Sequence, residues 1–180
     1  MRGGWGLAPP VTTLRGVTWR ESSPDDPAAR ILLDQYFAMR AEQFERAARD
    51  YHRTWPDAAQ FVPPRGVFLI VEDENLAGEP ADVGCGAVRM IDDGPSGPRA
   101  ELKHLWVQPH ARRRGHGAAL IAELTARARQ LGATELVLDT HSSLEAAGAL
   151  YRALGFAPIE PYNDNPNADT WLGRAIATTG

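Results

Sequence analysis

The segment HARRRGHGAAL, residues 110–120, places three consecutive arginines and two glycines directly before an apolar helical pattern. If a strand ends near Pro109 and a helix begins near Gly115, the backbone N–H groups of the first helical turn have no partners and form a positive pole. Gly115 and Gly117 leave space beside these groups, and the arginines add positive charge. The segment therefore predicts a site for an anion such as a diphosphate, with a solvated surface turn as the alternative.

The same residues argue against two common nucleotide-binding motifs and against a metal site. A Walker A loop ends in Gly-Lys-Ser or Gly-Lys-Thr, and this segment contains no lysine. A dinucleotide fingerprint needs a third glycine, but the corresponding residue is Leu120. Three histidines, His104, His110 and His116, cross a strand-to-loop boundary without cysteine partners, so we predict no metal.

The surrounding residues predict strands and helices that would position this segment. Asp26 and Pro27 have the residue types of a helix N-cap and first helical position, and the pattern after them indicates one helix or two over residues 23–52. Three strand-like runs between residues 66 and 109 predict an antiparallel meander. The predicted strands cover residues 15–22, 66–73, 81–91, 99–109 and 135–140, the later helices 115–132 and 147–155, and a closing hairpin 156–162 and 170–177.

Composition restricts the class of protein. The chain has 180 residues, 43% hydrophobic and 23% charged, which predicts a single domain over residues 15–180. Residues 1–14 are rich in Gly, Pro and Thr and have no periodicity, which predicts a loose tail. A formal net charge of −4 argues against nucleic acid as a partner, and no apolar stretch is long enough for a membrane span. Cys85 lies in a predicted strand, where a buried and unreactive thiol is expected. Because no secretory signal is visible either, we predict a cytoplasmic protein.

The block ELKHLWVQPHARRRGHGAALIAEL covers residues 101–124. This block resembles the acyl-CoA signature of the GNAT superfamily of acetyl-CoA-dependent N-acetyltransferases. Arg112, Gly115 and Gly117 occupy the family's pattern positions, and Val107 begins the Val-x-Pro piece that precedes them.

A second block, ELVLDTHSSLEAAGALYRALGF over residues 135–156, resembles the family's strand, helix and Leu-Gly-Phe ending, with Tyr151 at the family's tyrosine position. Many members carry asparagine seven residues before that tyrosine, where this chain has Leu144. Ser142 or Ser143 is therefore expected to cap the helix instead.

The resemblance implies an α/β (α+β) fold. Its central sheet is mixed, mostly antiparallel, flanked by helices and splayed between the fourth and fifth predicted strands, residues 99–107 and 135–140. The pantetheine arm of acetyl-CoA would lie in that gap like an added strand, and its diphosphate would meet the free amides beyond it. The residues implied in binding acetyl-CoA are Leu105, Trp106, Val107, Arg112, Arg113, Arg114, Gly115, His116, Gly117 and Ala118.

The resemblance also implies catalytic roles. Tyr151 would donate a proton to the departing thiolate, and a backbone N–H near Val107 would polarise the thioester carbonyl. Glu101 would take the proton of the amine through water. The residues themselves leave alternatives open: Tyr151 as a core aromatic, Glu101 as a carboxylate paired with a neighbouring cation, and His104 or His141 as rival bases.

The activity implied is transfer of acetyl from acetyl-CoA to a primary amine, directly and within a ternary complex. The acceptor is a small-molecule or peptide amine, a homodimer is compatible with the family, and the alternative is a non-catalytic acyl-CoA-binding module. We expect Tyr36, Phe37 and the loop over residues 161–171 to line the acceptor pocket. Asp164 and Asp169 in that loop would suit a cationic amine.

Overall fold

The first helix begins where Asp26 supplies an oxygen to its free N–H groups. Asp26 Oδ1 accepts a hydrogen bond from the Ala28 N–H at 2.9 Å, and Pro27 occupies the first helical position, as predicted. The structure is a computed structural model that describes residues 12–14, 17–46 and 49–177. In the described part of the stretch from Ser23, the chain forms one helix rather than two.

The described residues form three α-helices around one eight-stranded sheet. The helices are α1 (Pro27–Arg46), α2 (His116–Gln130) and α3 (Glu145–Ala153). The strands are β1 (Thr12–Leu14), β2 (Val17–Ser22), β3 (Gly66–Glu74), β4 (Pro80–Gly94), β5 (Gly97–Val107), β6 (Glu135–Thr140), β7 (Ala157–Pro158) and β8 (Thr170–Ala175). Their spatial order is β1-β2-β3-β4-β5-β6-β8-β7, and every pair is antiparallel except β5 with β6. The predicted mixed, mostly antiparallel sheet and its meander are confirmed.

Both faces of the sheet are buried under helices. On β3, Leu69 and Val71 belong to a core cluster that includes side chains of α2 and α3. The alternate residues Phe68 and Ile70 belong to a second cluster, which α1 covers. This period of two explains why the sequence of β3 is a continuous apolar run rather than an alternating one.

The strands β5 and β6 separate soon after they meet. They pair only where Arg99–Glu101 lies beside Glu135–Val137, and from there β5 continues to Val107 without a neighbour on that side. β6 stays paired with β8 as far as Thr140. The predicted splay between the fourth and fifth predicted strands is therefore present, and it leaves the backbone of β5 beyond Glu101 without a strand partner on that side.

Strand β1 and the Cys85 side chain bear on two further predictions. The end of the predicted loose tail, Thr12–Leu14, is strand β1 and pairs with β2, whereas residues 1–11 lie outside the described residues. The Cys85 side chain is fully buried, as predicted, and burial raises the pKa of its thiol. A protonated, enclosed thiol is a poor nucleophile, so Cys85 belongs to the core.

Candidate functional site

The turn between β5 and α2 leaves a row of backbone N–H groups unpaired. A short 3-10 turn at Pro109–Ala111 follows the strand. Helix α2 begins directly after Gly115, whose φ is 88°. The first helical bond runs from the Ala119 N–H to the Gly115 carbonyl at 3.0 Å. Among the described residues no acceptor takes the N–H groups of residues 113–118. The donors that the sequence predicts for an anion are therefore free to bind one.

The two glycines of this turn have different structural reasons. A Cβ at Gly115 would meet nothing within 4 Å, so its left-handed φ is what favours glycine. A Cβ at Gly117 would lie 3.1 Å from Leu150 Cδ2. Close packing of α2 on α3 therefore explains Gly117 independently of any ligand.

Arg112 folds back onto the end of β5. Its Nε donates a hydrogen bond to the Val107 carbonyl at 2.9 Å, and its guanidinium lies over the Trp106 ring, 4.9 Å from the centroid. This contact shows that the Val107 carbonyl points out of the sheet ladder. The Gln108 N–H donates to the Val83 carbonyl at 2.8 Å, and because directions alternate along a strand, the Val107 N–H also faces away from β4. Val107 thus presents both backbone groups at the cleft.

Arg114 and His116 are tied to the sheet rather than left free. Arg114 Nη1 and His116 Nε2 contact Asp73 Oδ2 at 3.1 and 2.7 Å. Burial alone would raise the pKa of Asp73, but these two partners outweigh it and lower that pKa. Arg113 is exposed, has a φ of 63° and makes no ion pair with any described residue. Arg112 likewise makes no ion pair with a described residue, so Arg112 and Arg113 are the two arginines whose charges are left for an anion, and of these Arg113 also makes no side-chain hydrogen bond among the described residues.

A small cavity of about 90 Å³ lies where β5 and β6 diverge. Leu105 and Leu138 line it from the two strands, and Tyr151 lines it from α3. Tyr151 is 9% exposed, and its hydroxyl has no hydrogen-bond partner among the described residues. Burial raises the pKa of Tyr151, so its phenol stays protonated at neutral pH.

A larger cavity of about 400 Å³ adjoins the small one. Tyr36 and Phe37 of α1 line it, as do Asn163, Asn165 and Asn167 of the loop over residues 161–171, so both predicted acceptor walls lie on this cavity. Tyr51, Trp55 and Phe61 make the rest of its aromatic wall. The polar loop is thus a wall of the larger cavity as well as a turn.

The two cavities share five lining residues. These residues are Tyr36, Arg40, Lys103, His104 and Asp139. Asp139 is the acidic member. Burial would raise the pKa of Asp139, but the charge of Lys103 and hydrogen bonds from two loop asparagines lower it. The junction therefore holds a carboxylate that remains ionised.

The acidic loop residues that the sequence favoured lie elsewhere. Asp164 is exposed, and neither it nor Asp169 lines either cavity. Asp169 accepts hydrogen bonds from the Ser142 N–H at 2.7 Å and the Ser142 hydroxyl at 2.6 Å. Asp164 and Asp169 therefore do not line these cavities, whereas Asp139 on β6 lines both.

Neither predicted serine caps α3. The Ser142 hydroxyl is used by Asp169, and Ser143 Oγ lies 2.9 Å from His141 Nδ1. The N-cap position is Leu144, which has no side-chain cap. The Ser142 hydroxyl instead anchors the loop over residues 161–171 through Asp169, whereas Ser143 contacts only His141.

Glu101 is the most enclosed charge in this region, at 1% exposure. Arg89 contacts it at 2.7 Å and Lys103 at 3.2 Å, and the Tyr162 hydroxyl donates to it at 3.0 Å. Glu101 lines neither cavity. It borders the divergence of β5 and β6, and its contacts place Arg89 and Lys103 on the wall of the larger cavity.

The two rival histidines have separate environments. His104 has a φ of 55° and sits in a bulge, since β5 has one residue more than β4 between the pairs Lys103–Ala87 and Trp106–Cys85. Burial lowers the pKa of His104 to about 3, so the ring is neutral at physiological pH. His141 lies 2.8 Å from an Arg49 nitrogen and outside both cavities. Its contacts are structural.

Sequence reasoning missed Arg40 and Asp139 as cavity residues. Arg40 follows Tyr36 by four residues, so helical spacing alone places the two side chains on one face of α1. Asp139 is the acidic residue of the otherwise apolar run before Thr140. The charge of these two residues was the signal that could have identified them as lining a polar cavity.

The described residues contain neither a candidate metal cluster nor a candidate membrane-spanning helix. No group of three or more histidine, cysteine, aspartate or glutamate side chains in the described part could hold a metal ion. None of the helices in residues 12–14, 17–46 and 49–177 is long and apolar enough to cross a membrane.

Known sequences show which proteins this chain is similar to. A model of the Acetyltransferase (GNAT) family matches residues 27–156. An uncharacterised N-acetyltransferase of Schizosaccharomyces pombe is 36% identical over 107 residues, 59% of this chain, and the chain spans only 61% of that relative's length. The aminoglycoside N(6')-acetyltransferase type 1 of Serratia marcescens is 40% identical over 130 residues, 71% of this chain and 87% of that protein.

Solved structures show the same fold. A GNAT family acetyltransferase from Staphylococcus aureus superposes with a TM-score of 0.69 at 15% identity, over 88% of this chain and 99% of that one. A GNAT superfamily phosphinothricin acetyltransferase from Sinorhizobium meliloti, in complex with AcCoA, gives a TM-score of 0.57 at 20% identity, over 89% and 88% of the two chains.

The neutral His104 predicts a pH dependence of stability. Between its ordinary pKa of about 6.5 and its folded pKa of about 3, the unfolded chain binds a proton that the folded chain does not. The free energy of unfolding should therefore fall as the pH falls, by up to about 1.4 kcal/mol per pH unit from this residue. We expect His104→Asn, which tolerates a left-handed φ, to lose that slope in urea titrations between about pH 6.5 and pH 4.5. Equal slopes in the two proteins would contradict the assignment.

Proposed function

Because the chain belongs to the acetyltransferase (GNAT) family, we propose that it is an acyltransferase that moves acetyl from acetyl-CoA directly to a primary amine of a small molecule within a ternary complex. One observation carries the proposal. Tyr151 lines the small cavity where β5 and β6 diverge, and five of the residues that line this cavity also line the larger, aromatic cavity. A thioester and an amine would meet at that junction.

The residues present suit acetyl-CoA, which GNAT-fold proteins use and which the Sinorhizobium meliloti neighbour contains. The free amides of residues 113–118 and the exposed Arg113 would hold its diphosphate. The backbone of Val107 would hold its pantetheine arm once Arg112 releases the carbonyl. When bound, the thioester supplies an acetyl carbon that an amine nitrogen can attack.

Tyr151 is proposed to balance the protons of the transfer. As the new N–C bond forms and the C–S bond breaks, Tyr151 donates its hydroxyl proton to the departing sulfur. The tyrosine recovers a proton when the amine nitrogen loses one, so the products are an amide and a free thiol. Its raised pKa keeps the hydroxyl proton in place until that moment.

For the amine, the geometry favours Asp139 as the direct contact. Asp139 lines both cavities and stays ionised, whereas Glu101 is enclosed by its own partners. Asp139 Oδ2 already accepts from Asn163 at 2.7 Å and Asn165 at 3.1 Å, but Oδ1 has only Lys103 at 3.4 Å. Oδ1 can therefore accept a further N–H. We assign Asp139 to holding the amine, and Glu101 to positioning Lys103 and Arg89.

The proposal is tested by thiol release from acetyl-CoA with a panel of amines, beside calorimetric binding of CoA. We expect release that depends on the amine, and Gly117→Glu should weaken CoA binding about tenfold or more because its carboxylate repels the diphosphate and its side chain crowds Leu150. Ala122→Glu adds the same charge on an exposed position of α2 and should bind CoA normally. CoA binding without release for any amine would leave the non-catalytic acyl-CoA-binding module instead.

Tyr151→Phe removes the proposed acid with little change in packing. Because its hydroxyl has no partner among the described residues, stability and CoA affinity should stay unchanged while kcat falls by about 10²-fold or more. Tyr51→Phe makes the same chemical change on the wall of the larger cavity and should lower kcat far less. Unchanged turnover in Tyr151→Phe would remove the residue from the mechanism.

Asp139→Asn and Glu101→Gln separate the two carboxylates. We expect Asp139→Asn to raise the KM of the amine about tenfold, since a charged hydrogen-bond acceptor is lost. Glu101→Gln should keep the decrease of kcat/KM at low pH that wild type shows. It should also lower the free energy of unfolding by roughly 3 kcal/mol, because Arg89 and Lys103 lose their charged partner. Loss of that decrease at low pH in Glu101→Gln would make Glu101 the proton acceptor, as the sequence suggested.

A further inference from the structure

Arg40 is a buried cation at the junction of the two cavities. It lies on α1, is 6% exposed and lines both the smaller and the larger cavity. Its guanidinium lies 5.4 Å from the Phe44 ring centroid and 5.9 Å from that of Tyr51. Aromatic faces at these distances attract the guanidinium without neutralising its charge.

No carboxylate in the described residues neutralises Arg40. Its Nη2 donates to the Asn167 carbonyl at 3.0 Å, while its Nε is buried without a hydrogen-bond partner. The residues outside the described ranges contain no aspartate or glutamate. A buried charge without a counter-ion is costly, so an anionic group of a ligand in these cavities would stabilise Arg40.

The other two cations of the cavity walls differ from Arg40 in this respect. Arg89 contacts Glu101 at 2.7 Å, and Lys103 contacts Glu101 at 3.2 Å and Asp139 at 3.4 Å. Their charges are therefore balanced within the protein. Arg40 is the cation at the junction whose counter-charge is missing from the described chain.

The position of Arg40 restricts the group that would bind it. An arginine fork matches a carboxylate in geometry and charge. Because Arg40 and Asp139 line the same junction, a carboxylate on Arg40 would lie beside an amine held by Asp139. The remainder of the molecule would then occupy the larger cavity, where Phe37, Trp55 and Phe61 offer an apolar wall.

We propose that the acceptor is an amine with a carboxylate on the adjacent carbon and an apolar or aromatic substituent, and that Arg40 is the residue that selects the carboxylate. This inference rests on the proposed acetyl transfer and adds the class of acceptor to it. Arg40 binds and orients the acceptor, and no proton passes through it.

Phenylalanine and phenylalaninamide form a matched pair of probes that differ only in this carboxylate. At equal concentrations of unprotonated amine, we expect wild type to show a KM for phenylalanine about tenfold or more below that for the amide. Arg40→Met should abolish the preference by raising the KM of phenylalanine while leaving the amide unaffected. Arg53→Met removes an exposed arginine that pairs with Asp34, so it should retain the preference.

Binding gives a second readout that does not need turnover. Calorimetry of wild type with CoA should show N-acetylphenylalanine binding about tenfold or more tightly than N-acetylphenylalaninamide. If Arg40→Met does not fold, Arg40→Lys keeps the charge without the fork and should retain part of the preference.

The outcomes separate the two proposals. Equal or better use of the amide by wild type, or a preference that survives in Arg40→Met, overturns the assignment of Arg40. Thiol release with neither member of the pair, but with amines that lack a carboxylate, overturns it as well. If CoA binds and no amine gives release, the proposed acetyl transfer fails, while the calorimetric pair still decides whether Arg40 selects a carboxylate.

Discussion

The separation of β5 from β6 is the constraint on which the rest of the structure depends. Strand pairing satisfies backbone groups, and unpaired groups in an interior are costly. Here the parallel pairing stops after Glu101 and Val137, and β8 keeps β6 in the sheet. The backbone beyond that point faces a cleft rather than a strand. The free amides of residues 113–118, the carbonyl of Val107 and the cavity around Tyr151 are all arranged along this one gap.

Two buried carboxylates beside the point where β5 and β6 separate hold neighbouring segments of the chain. Glu101 forms ion pairs with Arg89 and Lys103 and accepts a hydrogen bond from the hydroxyl of Tyr162. Asp139 contacts Lys103 and accepts hydrogen bonds from the loop asparagines. These contacts fix the loop after β7 against the strands. The larger cavity therefore has a wall held by ionic hydrogen bonds, which are strong where water is scarce.

The sequence predicted the parts of the fold that depend on local patterns. Asp26 and Pro27 start α1, glycines end α2 and α3, and the meander and closing hairpin follow from strand-like runs between turn residues. The partners of side chains far apart in sequence were not predictable. Asp73 holds Arg114 and His116 from more than 40 residues away, and the carboxylate at the junction comes from β6 rather than the acidic loop. The bulge at His104 also needs the register against β4, which no single strand reveals.

The two halves of the candidate site come from different stretches of chain. The free amides belong to the turn between β5 and α2 and to the start of α2. The larger cavity is lined mainly by α1, by residues 51–61 and by the loop over residues 161–171. Substitutions in those cavity-lining segments leave the amide turn untouched. During evolution such a division lets lineages exchange one acceptor for another while inheriting the same acyl donor, and it tells a protein engineer which segments to randomise and which to preserve.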